Sequence, residues 1–192
     1  MLDYYIVVNG VRYPKFAYRF MSPFQKSVYK SNYKHIGLDS THGTNRSKQE
    51  LYTIIVRNPT SLSAVPVAFM LTNDHSHQPL AKWLSHIKEN IGTPEYITTG
   101  DARAEYKAIR MAFGQSVTVH LCLWHVMKAW RNKLRSVICG TEERPAKELQ
   151  EVAMSELRVN LFDAYLDRAQ NRSLAFKSKW EHHHEGKLWK YF

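Results

Sequence analysis

Two aspartates carry the most chemistry in this sequence. Asp39 ends the short apolar run Ile36-Gly37-Leu38-Asp39, and Asp101 ends Ile97-Thr98-Thr99-Gly100-Asp101, 62 positions later (101 − 39). An acid after a strand is often a turn former, and one before a helix is often its N-cap. Those readings stay open for each aspartate taken alone. Two carboxylates brought close repel one another, and a divalent cation relieves the repulsion. Mg²⁺ prefers oxygen ligands and binds one or two carboxylates together with substrate phosphate. Two such ions can activate an attacking oxygen and stabilise a leaving oxygen at a phosphodiester.

Other residues offer weaker chemistry. Cys122 and His125 have metal-ligand spacing. Zinc is not expected, because it takes three or four protein ligands and no matching pair is evident. His182-His183-His184 are consecutive, so they cannot share one helix face. Lys128, Arg131, Lys133 and Arg135 crowd one segment without an acid. Three of them, Lys128, Arg131 and Arg135, recur at i, i+3 and i+7, and this face suits either bulk solvent or a DNA backbone. Trp124 and Trp130 read as core. Glu142, Glu143, Glu148, Glu151, Glu156, Glu181 and Glu185 sit in polar helical contexts and read as solvated surface.

The elements that must position these residues follow from periodicity. Tyr4–Val8, Asn9-Gly10 and Val11–Tyr13 read as a hairpin, because Asn-Gly tolerates the positive φ of a tight turn. Ser22–Tyr33 suits a short helix. His35–Thr41, Leu51–Val56 and Ala64–Leu71 read as three strands of an antiparallel meander. The period then changes. Leu80, Trp83, Leu84, Ile87 and Ile91 lie on one helical face, stopped by Gly92 and Pro94. A strand at Tyr96–Thr99, a helix through Tyr106, Ile109 and Phe113, a strand at Val117–Leu121 and a helix over Trp124–Ile138 complete the pattern. Leu149 to Tyr165 suggests one long helix, and Leu174, Trp180, Leu188, Trp189 and Phe192 suggest another.

This order predicts an α/β fold: a mixed five-stranded sheet with helices on both faces, ordered as in ribonuclease H, followed by an all-helical region. In such a fold the strands ending at Asp39 and Asp101 are parallel neighbours at the switch point of strand order, where open α/β sheets place their sites. The expected divisions are residues 1–34 (hairpin and short helix), 35–140 (core) and 141–192 (an incomplete helical insertion).

Composition limits the alternatives. The 192 residues are 44% hydrophobic, enough for a packed core. No apolar run is long enough to span a bilayer, and Met1–Gly10 is a poor signal peptide, so an intracellular protein is expected. Two cysteines do not make a disulfide framework. Lys and Arg number 27 against 17 Asp and Glu, a formal net charge of +10. A phosphate-backbone partner suits such a balance. Residues 1–48 hold eight basic side chains against two acids, Asp3 and Asp39.

Three blocks together resemble those of Mutator-like element (MULE) transposases. Gly37-Leu38-Asp39-Ser40-Thr41-His42-Gly43-Thr44-Asn45 resembles the first acidic block, with Tyr52–Val56 and Val65-Pro66-Val67-Ala68 like the strands that follow it. Ile97 to Asp101, on through Tyr106 and Ala108, resembles the second. Cys122-Leu123-Trp124-His125-Val126 with Lys128-Ala129-Trp130-Arg131 is similar to the Cys-x-x-His block. The match covers residues 20–135.

The resemblance implies a DDE-type core that cuts DNA by metal-assisted attack of water and joins the freed 3′-hydroxyl to target DNA. Asp39 and Asp101 map onto its first two acids, with Mg²⁺ or Mn²⁺ as cofactor, and Cys122 and His125 onto a motif near the site. Transposon ends and target DNA are the implied partners, with a possible homo-oligomer, no membrane and a nuclear location. No residue matches the family's Glu block, so this sequence is expected to be a fragment that is inactive by itself. A non-catalytic DNA-binding regulator descended from a transposase is the alternative. A nuclease acting on RNA–DNA hybrids fits less well, because of the Cys-x-x-His block and the helical insertion.

Overall fold

In a computed structural model of the chain, the described residues are 2–41, 46–47, 49–100, 103–142 and 144–181. Asp101, Glu143, His182-His183-His184, Glu185, Leu188, Trp189 and Phe192 lie outside them. The chain divides into two compact units, residues 1–122 and residues 123–192.

The first unit begins with β1 (Leu2–Val8) and β2 (Val11–Phe20), paired antiparallel around Asn9 and Gly10. Both turn residues take positive φ, 50° and 78°, as a two-residue hairpin of matching twist requires. The second strand runs well past the expected Tyr13, because its far half pairs with a strand distant in sequence, Ala17 with Thr72 to Phe20 with Phe69. Helix α1 (Pro23–Asn32) starts on a capping box. Ser22 Oγ accepts from the Gln25 amide, and the Gln25 side chain accepts from the Ser22 amide. Strands β3 (His35–Thr41), β4 (Glu50–Arg57) and β5 (Ala64–Thr72) form the expected meander. Helix α2 (His77–Asn90), strand β6 (Tyr96–Thr99), helix α3 (Arg103–Phe113) and strand β7 (Thr118–Leu121) follow.

The sheet order is β1-β2-β5-β4-β3-β6-β7. The five strands from β3 onward have the ribonuclease-H-like arrangement: β3 is central, antiparallel to β4 on one side and parallel to β6 on the other, with β7 parallel outside. The sheet has seven strands rather than five, because the N-terminal hairpin docks edge-on against β5.

Strand alternation sorts the two faces. Ile36, Leu38, Tyr52, Ile54, Val56, Ala68, Met70 and Ile97 point to one face. There they join Tyr29 of α1, Leu80, Trp83, Leu84 and Ile87 of α2, and Ala108, Ile109, Ala112 and Phe113 of α3 in a single core. The other face, with His35, Gly37, Asp39, Thr53 and Ile55, is half-buried or exposed.

The second unit is helical: α4 (Leu123–Val137), α5 (Ala146–Leu161) and α6 (Leu166–Trp180). Leu134, Val137, Ile138, Leu149, Ala153, Met154, Leu157, Phe176 and Trp180 form its core. The long helix expected from Leu149 to Tyr165 is interrupted. The turn has its own cap: Asp163 Oδ1 accepts from the Tyr165 amide, and the Arg172 guanidinium lies 2.8 Å from Asp163 Oδ2. Trp124 is a further correction. It is 57% exposed and carries Lys128 Nζ 4.6 Å from its ring centroid, so it is a surface cation–π partner rather than core. Glu156 is also more than solvated surface, since it accepts from Trp180 Nε1 at 2.9 Å and pairs with Lys179, tying α5 to α6.

Candidate active site at the β3 and β6 strand ends

The site is built on parallel pairing. His35 to Leu38 of β3 align with Tyr96 to Thr99 of β6, so Leu38 lies opposite Thr99. Asp39 follows Leu38 directly and is exposed, on the face opposite the three-helix core. Across the other edge of β3 it aligns with Thr53. Its face is kept low by Gly37, where a Cβ would lie 2.6 Å from Ile55 Cγ1. The strand that leads towards Asp101 ends at Thr99, and Asp101 itself lies outside the described residues.

Beneath Asp39, on the core face of the same strand ends, lies a polar network that sequence patterning did not single out. Glu105, in the first turn of α3, is 2% exposed. It accepts from Ser40 Oγ at 2.7 Å and from Thr99 Oγ1. Glu50 is buried at the start of β4. It accepts from the Tyr52 hydroxyl at 2.7 Å, and His75 Nδ1 lies 2.9 Å from its other oxygen. Asp74 is buried after β5 and receives the Ser76 amide at 2.9 Å. Burial first, then the Glu50 carboxylate, pushes the Tyr52 phenol far above the ordinary tyrosine range, with Glu105 and Asp74 adding to the push. The available signal was position. Glu105 stands four residues after Asp101, at the start of an amphipathic helix, where a solvated acid would look the same in sequence.

Cys122 and His125 fall in different units. Cys122 ends the first unit, half-buried, and its amide donates to Thr99 O at 2.7 Å, extending the link from β6 to the chain beyond β7. His125 lies in the first turn of α4 in the second unit, its ring edge-on to Trp124 at 4.8 Å. Among the described residues, no group of three or more His, Cys, Asp and Glu side chains is arranged to hold a metal ion.

The basic residues of α4 also divide. Arg131 and Arg135 line a groove of about 580 Å³ together with Lys147 and Arg158 of α5. None of these four cations is ion-paired with a described carboxylate, although Glu151 also lines the groove. Lys128 is held over Trp124 and Lys133 is half-buried, and neither lines the groove. The pairing of Arg131 and Arg135 with Lys147 and Arg158 was not foreseen, because it depends on which face α5 presents to α4. No helix among the described residues is long and apolar enough to cross a membrane.

No curated protein matches the chain. Among solved structures, the chain is similar to a simian T-cell lymphotropic virus intasome in complex with the PP2A regulatory subunit B56 gamma. The TM-score is 0.33 at 14% identity, over 77% of this chain and 47% of that one, so this chain spans about half of that structure's length. It is also similar to the HTLV-2 integrase catalytic core domain in complex with magnesium. The dimeric form gives a TM-score of 0.32 at 13% identity over 77% of this chain and 83% of that one; the trimeric form gives 0.29 at 14% over 70% and 90%. Residues 35–129 match the MULE transposase domain, from the first residue of β3 into α4. Residues 35–129 are thus a transposase-type catalytic-core region, that of a MULE transposase domain.

Proposed function

We propose that residues 35–129 serve the DNA cleavage and strand-transfer chemistry of a cut-and-paste transposase, with Asp39 and Asp101 as two of its metal-binding carboxylates. The observation that carries this reading is the parallel alignment of Leu38 with Thr99, which sets the strand that bears Asp39 beside the strand that leads to Asp101. Asp39 suits a hard divalent ion, being an exposed carboxylate at a strand end rather than a buried, packed one. When bound, Mg²⁺ or Mn²⁺ would supply Lewis-acid activation of water and charge neutralisation at the phosphodiester. The chain's own part is to hold its ligands at fixed strand ends. Transposon-end and target DNA are the substrates in this reading, with action in the nucleus and assembly of more than one copy on the DNA.

The test is Mg²⁺-dependent cleavage and joining of transposon-end DNA by the chain supplied in cis with the family's Glu block. Asp39→Asn and Asp101→Asn each abolish the reaction and leave DNA binding intact. Activity retained by either variant sinks the assignment.

One observation favours a second reading, that of a DNA-binding regulator without catalysis. The groove of Arg131, Arg135, Lys147 and Arg158 lies wholly within the second unit and uses neither aspartate. In that case salt-sensitive DNA binding is the whole activity, and no cleavage appears with or without the Glu block.

A further inference from the structure

The ladder between β3 and β6 stops at Leu38 and Thr99, one residue short of Asp39. Beyond that point β3 continues only against β4, through Asp39–Thr53 and Ser40–Tyr52. Among the described residues, backbone pairing with β6 therefore reaches Leu38 but not Asp39 or Ser40. Among the described residues, the Glu105 side chain links Ser40 to the end of β6. One Glu105 oxygen accepts from Ser40 Oγ at 2.7 Å and the other from Thr99 Oγ1. Glu105 is itself anchored in α3, the helix that begins at Arg103. One buried carboxylate thus joins three pieces of backbone: the residue after Asp39, the strand end before Asp101 and the helix after Asp101.

We propose that Glu105 is a positioning residue that clamps the two ligand-bearing strand ends at metal-binding separation. The inference rests on the reading of Asp39 and Asp101 as metal ligands. Glu105 is not itself a ligand beside Asp39. Ser40, which it binds, points to the core face, and adjacent strand residues point to opposite faces. Burial of a carboxylate at 2% exposure, satisfied by two hydroxyl donors, is costly, and an apolar side chain would fill the site more cheaply. What the carboxylate adds is a two-pronged acceptor of fixed span. Residues that orient metal ligands in this indirect way typically change metal affinity by an order of magnitude or more when removed.

The test is Mn²⁺ binding to the full 192-residue chain, read from loss of the free-ion electron paramagnetic resonance signal, with folding checked by circular dichroism. Glu105→Ala weakens Mn²⁺ roughly tenfold. Glu105→Gln keeps near-normal affinity, because an amide spans the same gap and hydroxyls can donate or accept. Ser40→Ala and Thr99→Val each remove one prong and weaken binding. Val56→Ala empties buried volume in β4 opposite Ile36, four residues along β3 from Ser40, and leaves the affinity of the folded protein unchanged. Normal affinity in Glu105→Ala overturns the inference. So does equal loss in Glu105→Gln, which would mean that buried charge rather than span matters, and so does equal loss in Val56→Ala. If Glu105→Ala does not fold, normal affinity in both Ser40→Ala and Thr99→Val overturns it instead. Asp39→Asn separates the two levels. Lost binding there keeps the metal reading whatever Glu105 does, whereas normal binding in Asp39→Asn, or none in the unsubstituted chain, removes that reading and the clamp with it.

Discussion

The two units arrange their charged groups by opposite means. In the first, Asp39 pairs with Thr53 of β4, and the strand that carries it is flanked on its other edge by β6, which begins at Tyr96. Its setting depends on long-range registry, since a one-residue slip would turn Asp39 into the core and Ser40 outwards. In the second, Arg131 and Arg135 are one helical turn apart on α4, and Lys147 and Arg158 are three turns apart on α5. Helical period alone aligns each pair, and packing has only to bring two helices together. The anionic site is therefore rigidly specified and sensitive to its core. The cationic groove is locally encoded and tolerant of single losses.

The largest effects come from cutting each core. Ile54→Ala in β4 and Leu134→Ala in α4 each empty a fully buried position and are expected to cost about 2–5 kcal/mol. Native-state hydrogen exchange reads the result. Ile54→Ala lowers protection across β3–β6, and Leu134→Ala lowers it across α4–α6. An equal loss in both units from either substitution would show that they do not act separately.

A smaller effect sharpens the division of labour. Arg131→Ala and Arg158→Ala each weaken DNA binding and lower the slope of log affinity against log salt by about 1, with Mn²⁺ affinity unchanged. Lys133→Ala, outside the groove, leaves the slope as it was. Equal slopes in all three variants would remove the groove as the contact surface.

The smallest effect lies in alkali and belongs to the first unit. The Tyr52 phenol is raised in the folded state, so its contribution is fully present below the ordinary tyrosine pKa of about 10 and is lost as pH rises above it. The loss is about 1.4 kcal/mol per pH unit while only the unfolded phenol ionises. Tyr52→Phe flattens that part of the alkaline stability curve in urea titrations. Tyr29, whose phenol burial also pushes up, keeps a share of the slope in the variant. An unchanged curve in Tyr52→Phe would show that its phenol titrates normally.

Much of the fold was legible because local physics and global packing agree. Asn9-Gly10 announces the hairpin, since few residue pairs accept two positive φ angles. The β-branched and aromatic residues of Leu51–Val56 mark a strand, and the stripe Leu80, Trp83, Leu84 and Ile87 marks a helix. Where the reading fell short, a distant partner decided. The second strand lengthens because β5 offers it an edge. The break between α5 and α6 is set by Asp163 and its two arginines, which periodicity cannot weigh. Trp124 has the composition of core but sits on a helix face that solvent and Lys128 occupy.

The strand that ends in Asp39, the run that leads to Asp101 and the basic stretch of α4 are readable along the chain, because β propensity, helical period and charge are local properties. Folding adds that Leu38 lies beside Thr99, that Glu105 turns inwards to take the hydroxyls of Ser40 and Thr99, and that Lys147 and Arg158 complete the groove of Arg131 and Arg135. A carboxylate or a guanidinium carries no sign in sequence of whether it faces water or a partner, and its neighbours across a sheet or between two helices are chosen by registry and packing.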